Sequence, residues 1–87
     1  MNESCLKEAF EILNGSRNSD YGDAVMNFEK IADIASAILG YEITPVECVV
    51  TLISLKLSRE MYRHKKDNII DCQAYLEILN MIKEKED

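Results

Sequence analysis

The run from Thr44 to Tyr75 restricts this chain more than any other part of it. Thr44-Pro45-Val46-Glu47 is a strong helix start. Thr44 is placed to accept from the backbone N–H of Glu47, and Glu47 to reach back to the N–H of Thr44; Pro45 at the first helical position has its φ already set. A strongly apolar helix must follow, through Val49, Val50, Leu52, Ile53, Leu55 and Leu57. Lys56 interrupts its most apolar part, and Arg59 and Arg63 come three and seven residues later on the same helical stripe. Asp67 and Asp71, four apart, open the next helix. Three cations on one helix therefore face two acids on its neighbour, and the rest of the chain reads as scaffold and extra lining for that pair.

Four helices are expected, with boundaries near 3–13, 23–39, 45–63 and 67–83, in one domain over 1–87. Leu6, Ala9, Phe10 and Leu13 form a stripe at helical spacing on the first, and Asn14-Gly15 ends it. The polar loop from Gly15 to Gly22 carries Arg17 and Tyr21 as its only large side chains. Asp23 is the expected cap of the second helix and Gly40 its stop. Val25, Phe28, Ala32, Ala35 and Leu39 form one stripe there, and Ile31, Ile34 and Ile38 widen it, so this helix is expected to be enclosed on more than one side. The short turn to Thr44 favours antiparallel packing. The third helix, apolar over most of its surface, is expected to be the central one. Asp67 or Asn68 is the expected cap of the fourth, and its charged tail is expected to fray. The fold class is all-α, a four-helix bundle.

Composition narrows what such a bundle does. With 87 residues, 47% of them hydrophobic, the apolar content exceeds what a core of this size buries, and homo-oligomer formation is expected. A net charge of −6 argues against a nucleic-acid polymer as partner, though not against a local basic pocket for a small anion. No run of eighteen apolar residues suggests a membrane span, and the acidic start M-N-E-S-C-L-K-E does not suit a secretory signal. Cys5, Cys48 and Cys72 form no C-x-x-C pair, so free thiols in a reducing cytoplasm are expected rather than a zinc site.

The chemistry-bearing residues fall into two sets. Lys56 in an apolar helix must be paired, face a cavity, or lay its stem along apolar surface with its head in water. A salt bridge to Asp71 or Asp67, or a phosphate, would satisfy it, and Arg59 and Arg63 suit phosphate through paired hydrogen bonds. Tyr21, Tyr62 and Tyr75 are candidates to stack on a base or donate to a phosphate, although a tyrosine at helical spacing also suits a core with its hydroxyl at the rim, and Asn27 is a further candidate ligand contact. Asp67, Asp71, Glu29 and Asp33 are candidate magnesium ligands, with a helix cap and a wet face as the plainer roles for some of them. No cofactor is expected unless the chain hydrolyses nucleotides, in which case it is magnesium. No serine or cysteine carries the surroundings of a nucleophile.

Tyr21-Gly22-Asp23, Asn27-Phe28, Ile43-Thr44-Pro45, Leu55-Lys56-Leu57-Ser58-Arg59 and the run from Asp67 to Tyr75, in that order and spacing, resemble a family of small phage-encoded proteins of undefined function. The resemblance covers roughly Asn14 to Leu79. That family is in turn similar to the all-α nucleotide pyrophosphohydrolases of the MazG type. These are helical oligomers that hold magnesium on acidic clusters of two helices and cleave between the α and β phosphates. The resemblance implies a MazG-like oligomeric bundle in the cytoplasm of an infected bacterium, with Asp67 and Asp71 standing for the second acidic cluster. The first is absent: Glu29 and Asp33 are its only candidates, and Asn27 stands where an acid would be.

Three readings follow. In the first, a phage protein sequesters a small phosphorylated nucleotide without catalysis, such as a signalling nucleotide of bacterial defence, in pockets between subunits. Its contacts are Lys56, Arg59, Arg63, Tyr21, Asn27 and Tyr75. The second is a magnesium-dependent nucleoside triphosphate pyrophosphohydrolase. The third is a helical adaptor whose apolar faces bind another protein.

Overall fold

The computed structural model describes residues 4–14 and 23–86, and among these every regular element is a helix. In chain order they are α1 (Cys5–Asn14), α2 (Ala24–Leu39), α3 (Pro45–Tyr62) and α4 (Lys66–Glu86). Their ends follow local chemistry. Ser4 Oγ accepts from the N–H of Lys7 at 3.1 Å, and Asp23 Oδ1 accepts from the N–H of Met26 at 3.1 Å. Gly40 sits at φ 82°, the left-handed conformation that a side chain would strain, and its N–H returns to the carbonyl of Ser36. The capping box at Thr44 is complete: Glu47 N–H donates to Thr44 Oγ1 at 3.1 Å, and Thr44 N–H donates to Glu47 Oε1 at 2.8 Å.

Ser36 makes the α2–α3 turn a defined corner. Its hydroxyl donates to the carbonyl of Ala32 at 2.7 Å and accepts from the N–H of Ile43 at 2.8 Å. The turn is thereby tied back to the helix it leaves.

The helix that organises the molecule is α4, which packs against each of the other three. This corrects the expectation that α3 is central. Periodicity explains why α4 gives so weak a sign of its place. Ile70 and Ala74 lie against Ala9 of α1, whereas Cys72 lies on the opposite side, its thiol 4.0 Å from the carbonyl of Ile53 in α3. A helix buried on two opposite faces has no single apolar stripe. In contrast, α3 has one fully buried large side chain, Val49, while Val50, Leu55, Leu57, Met61 and Tyr62 are exposed.

Two apolar clusters result. Val25, Phe28, Val49, Ile78 and Ile82 form the larger one, among α2, α3 and α4. Ala9, Ile70 and Ala74 form the smaller one, between α1 and α4. Leu13 packs against both. Salt bridges fasten the ends of α4: Lys66 to Glu8 of α1 at 2.8 Å, and Lys85 to Glu29 of α2 at 3.2 Å. The Cα radius of gyration is 13.8 Å, above the ~12 Å of a compact chain of this length, so the bundle is elongated.

Boundaries shift slightly from those read in sequence. α1 covers 5–14 rather than 3–13, and α3 ends at Tyr62, one residue short of 63. α4 begins at Lys66, so Asp67 lies in its first turn instead of capping it, and the helix continues to Glu86 rather than stopping at 83.

Candidate functional site

The antiparallel pair of α3 and α4 carries the candidate site. Lys56 projects from the α3 face that meets α4, and its Nζ lies 2.6 Å from Asp71 Oδ2. The two side chains are 18% and 23% exposed, so the pair lies at the margin of the core with one side open to solvent. Of the two acids weighed as partners for Lys56, Asp71 is the one engaged; Asp67 is exposed in the first turn of α4. The placement follows from the sequence around Asp71: Ile70 is committed to α1 and Cys72 to α3, which leaves Asp71 beside the α3 contact. Burial pushes the Cys72 thiol above its usual range, and the charge of Asp71 adds to that, so this cysteine stays a neutral packing group.

One turn beyond Lys56 the helix ends in a corner that sequence reasoning missed. Glu60 Oε2 contacts His64 Nδ1, and Glu60 Oε1 accepts from the backbone N–H of Lys65 at 3.0 Å and from Asn68 Nδ2 at 3.1 Å. Asn68 is only 5% exposed, and this bond gives its buried side-chain nitrogen a partner. The bonds from His64, then Lys65, then Asn68 lower the Glu60 carboxyl to about 2. A signal was present in the sequence. An acid in the last turn of a helix opposes the helix dipole and needs donors. His64 and Asn68, four and eight residues beyond Glu60, supply them across the chain reversal.

The other candidates are dispersed. Arg59 is exposed on α3, one turn from Lys56. Arg63 does not continue that helical stripe: it is the extended C-cap of α3, with φ −158°, and its N–H bonds the carbonyl of Arg59. Tyr75 is half-buried with its ring edge-on to Phe28 at 6.4 Å, which makes it a core residue with a rim. Asn27 is half-buried on α2, Tyr62 is almost fully exposed, and Tyr21 lies outside the described residues. Of the metal candidates, Glu29 binds Lys85 through both oxygens at 3.2 Å and Asp71 binds Lys56, while Asp33 and Asp67 are exposed. Among the described residues no three His, Cys, Asp or Glu side chains converge as a metal site, so one chain does not bring these four acids together. Also among the described residues, no helix is long and apolar enough to cross a membrane.

These features define an all-helical domain organised around one lysine–aspartate pair and one acid-capped corner. Residues 4–83 match the family described as domain of unknown function DUF6378, and the chain belongs to that family. It is 40% identical over 86 residues to the Gene 55 protein of Mycobacterium phage L5, covering 97% of this chain and 55% of that protein. It is 31% identical over 86 residues to the Gene 55 protein of Mycobacterium phage D29, covering 98% of this chain and 57% of that one. The chain thus spans little more than half the length of these curated relatives. The family is phage-encoded and of undefined function, as the motif order implies. No solved structure matches the chain.

Proposed function

We infer that this protein binds a small phosphorylated nucleotide without hydrolysing it, and that Lys56 and Arg59 are its main phosphate contacts. The observation that carries the reading is the half-open Lys56–Asp71 pair with Arg59 one turn away. One aspartate offsets one ammonium and holds it in place; it does not neutralise a second cation on the same side. A local cationic excess on a chain of net charge −6 suits an anion. Binding is favoured over magnesium-dependent cleavage because two of the four acids such chemistry would need, Glu29 and Asp71, are engaged by lysines. Pockets between subunits of a homo-oligomer, in the cytoplasm of an infected bacterium, complete the proposal. The MazG-like hydrolase remains the catalytic alternative, and formation of monophosphate and pyrophosphate from triphosphates with magnesium would establish it.

The test is calorimetric titration of cyclic and linear nucleotides into wild type, Lys56→Met and Arg59→Met, with helicity checked by circular dichroism. Charge-assisted hydrogen bonds contribute roughly 1.5–3 kcal/mol each, so each substitution is expected to weaken binding about ten- to a hundredfold. Unchanged affinity in both folded variants overturns the assignment. If no nucleotide binds the wild type and Lys56→Met raises Tm, Lys56 is a structural ion-pair partner and the adaptor reading takes first place.

A further inference from the structure

The cationic excess around Lys56 does not stop at Arg59. Between Arg59 and Asp67 the chain carries Arg59, Arg63, Lys65 and Lys66 against Glu60 and Asp67, the reverse of its overall acidic balance. Part of this charge is engaged. Lys66 binds Glu8 at 2.8 Å, and the Glu60 carboxylate is held by His64, the N–H of Lys65 and Asn68. Arg59, Arg63 and Lys65 are exposed, and their side chains form no ion pair among the described residues. The negative end of the α3 dipole accounts for cations at this corner. It does not account for Tyr62, the last residue of α3, which is 92% exposed; of the other described tyrosines, Tyr41 is 63% exposed and Tyr75 is half-buried.

Backbone position joins these residues. Lys56, Arg59 and Tyr62 follow one another at intervals of three inside α3, so each is the helical neighbour of the next. Arg63 is the extended C-cap, where the chain leaves the helix, and α4 begins at Lys66. Arg63 and Lys65 therefore lie beyond Tyr62, at the end of the α3–α4 pair. An exposed ring with cations on both sides suits a base flanked by phosphates. Every base offers a π-face to an aromatic side chain, and a guanidinium takes phosphate oxygens in pairs. A mononucleotide stacked on Tyr62 brings phosphate to one side of the ring only. A nucleoside esterified at both its 5′ and 3′ oxygens brings phosphate to both.

We propose that Tyr62 is the base platform of the site, with Lys56 and Arg59 on one phosphate and Arg63 and Lys65 on the next, so that the ligand is a 3′,5′-linked nucleotide. This rests on the nucleotide-binding reading and adds to it the class of ligand. The experiment is calorimetric titration of the full chain with AMP, ADP, linear 5′-phosphorylated diadenylate and cyclic diadenylate, with folding checked by circular dichroism. Adenine serves as the probe because stacking is tolerant of base identity. At least one linked probe, open or closed, is expected to bind about tenfold or more tighter than AMP, and tighter than ADP, whose phosphates are contiguous. Tyr62→Ala weakens that probe about five- to a hundredfold, and Tyr62→Phe stays close to wild type. Arg63→Gln combined with Lys65→Gln removes most of the advantage of the linked probe and leaves AMP binding as it was, whereas Lys56→Met and Arg59→Met weaken every probe. Binding that needs Lys56 and Arg59 but shows no preference for a linked probe overturns this inference alone, as does a preference that survives Tyr62→Ala or the Arg63, Lys65 double variant. If no probe binds, or binding is indifferent to Lys56 and Arg59, the nucleotide-binding reading falls with it.

Discussion

Lys56 and Asp71 show how one side chain joins stability to function. Neither residue is fully withdrawn from water, and their charged atoms are 2.6 Å apart. Removing only the acid strands a partly buried ammonium against apolar surface, which costs more than the pair contributes. Asp71→Asn is therefore expected to lower unfolding free energy by about 1–3 kcal/mol, between the values for exposed and buried pairs. Lys56→Met combined with Asp71→Leu, which removes both charges and keeps apolar volume, is expected to recover most of that loss. Urea denaturation of wild type and the two variants checks it, and a double variant weaker than Asp71→Asn would show that the pair is worth more than its apolar replacement. The pairing itself was legible in sequence, because a lysine amid valines, leucines and isoleucines demands a partner and Asp71 stands among apolar neighbours on the next helix. The place of Arg63 was not legible. Helical spacing aligned it with Lys56 and Arg59, but the backbone leaves the helix at that residue to turn into α4.

Helix starts and stops were the most readable features at the level of elements, since caps are local chemistry. Thr44 with Glu47, Asp23 and Gly40 act where the sequence puts them. The corner between α3 and α4 depends instead on a chain reversal that brings Glu60 to His64, Lys65 and Asn68; the acid in the last turn of α3 signals that donors are needed, but helical spacing does not show how the chain turns to bring them. Its energetics give a prediction with a definite sign. Glu60 titrates near 4.5 when unfolded and near 2 when folded, because its hydrogen bonds favour the carboxylate. A carboxyl with a lowered folded pKa contributes stability that is complete above about pH 4.5 and fades as pH falls toward 2. Glu60→Gln accepts fewer bonds and does not titrate. The stability gap between wild type and Glu60→Gln should accordingly be widest above pH 5 and narrow steadily on acidification. Thermal melts followed by circular dichroism across this range provide the check; a gap independent of pH would mean that Glu60 is not held ionised by the corner.

The whole molecule is a three-helix core with a fourth helix attached to one side of it. α2, α3 and α4 share the cluster around Val49 and Phe28, whereas α1 rests on α4 through Ala9, Ile70 and Ala74, with Leu13 as the link to the main core. Sequence periodicity could not display this arrangement. It reports how wide an apolar face is, not what covers it, so α3 read as central. The arrangement implies unequal stability. Undocking α1 exposes Ala9, Ala74, Ile70 and the partly buried Cys5, Ile12 and Leu13 and leaves the buried members of the larger cluster together, so α1 should open at lower free energy than the rest. Native-state hydrogen exchange is expected to show amides of Cys5–Asn14 exchanging well before those around Val49 and Ile78. Ala9 is 2% exposed, and a charge there has no partner against Ile70 and Ala74. Ala9→Asp should therefore abolish protection in α1 while the inner amides of α3 and α4 remain slow. Equal exchange free energies in all four helices of the wild type would instead show one cooperative unit, with Leu13 binding the two clusters into a single core.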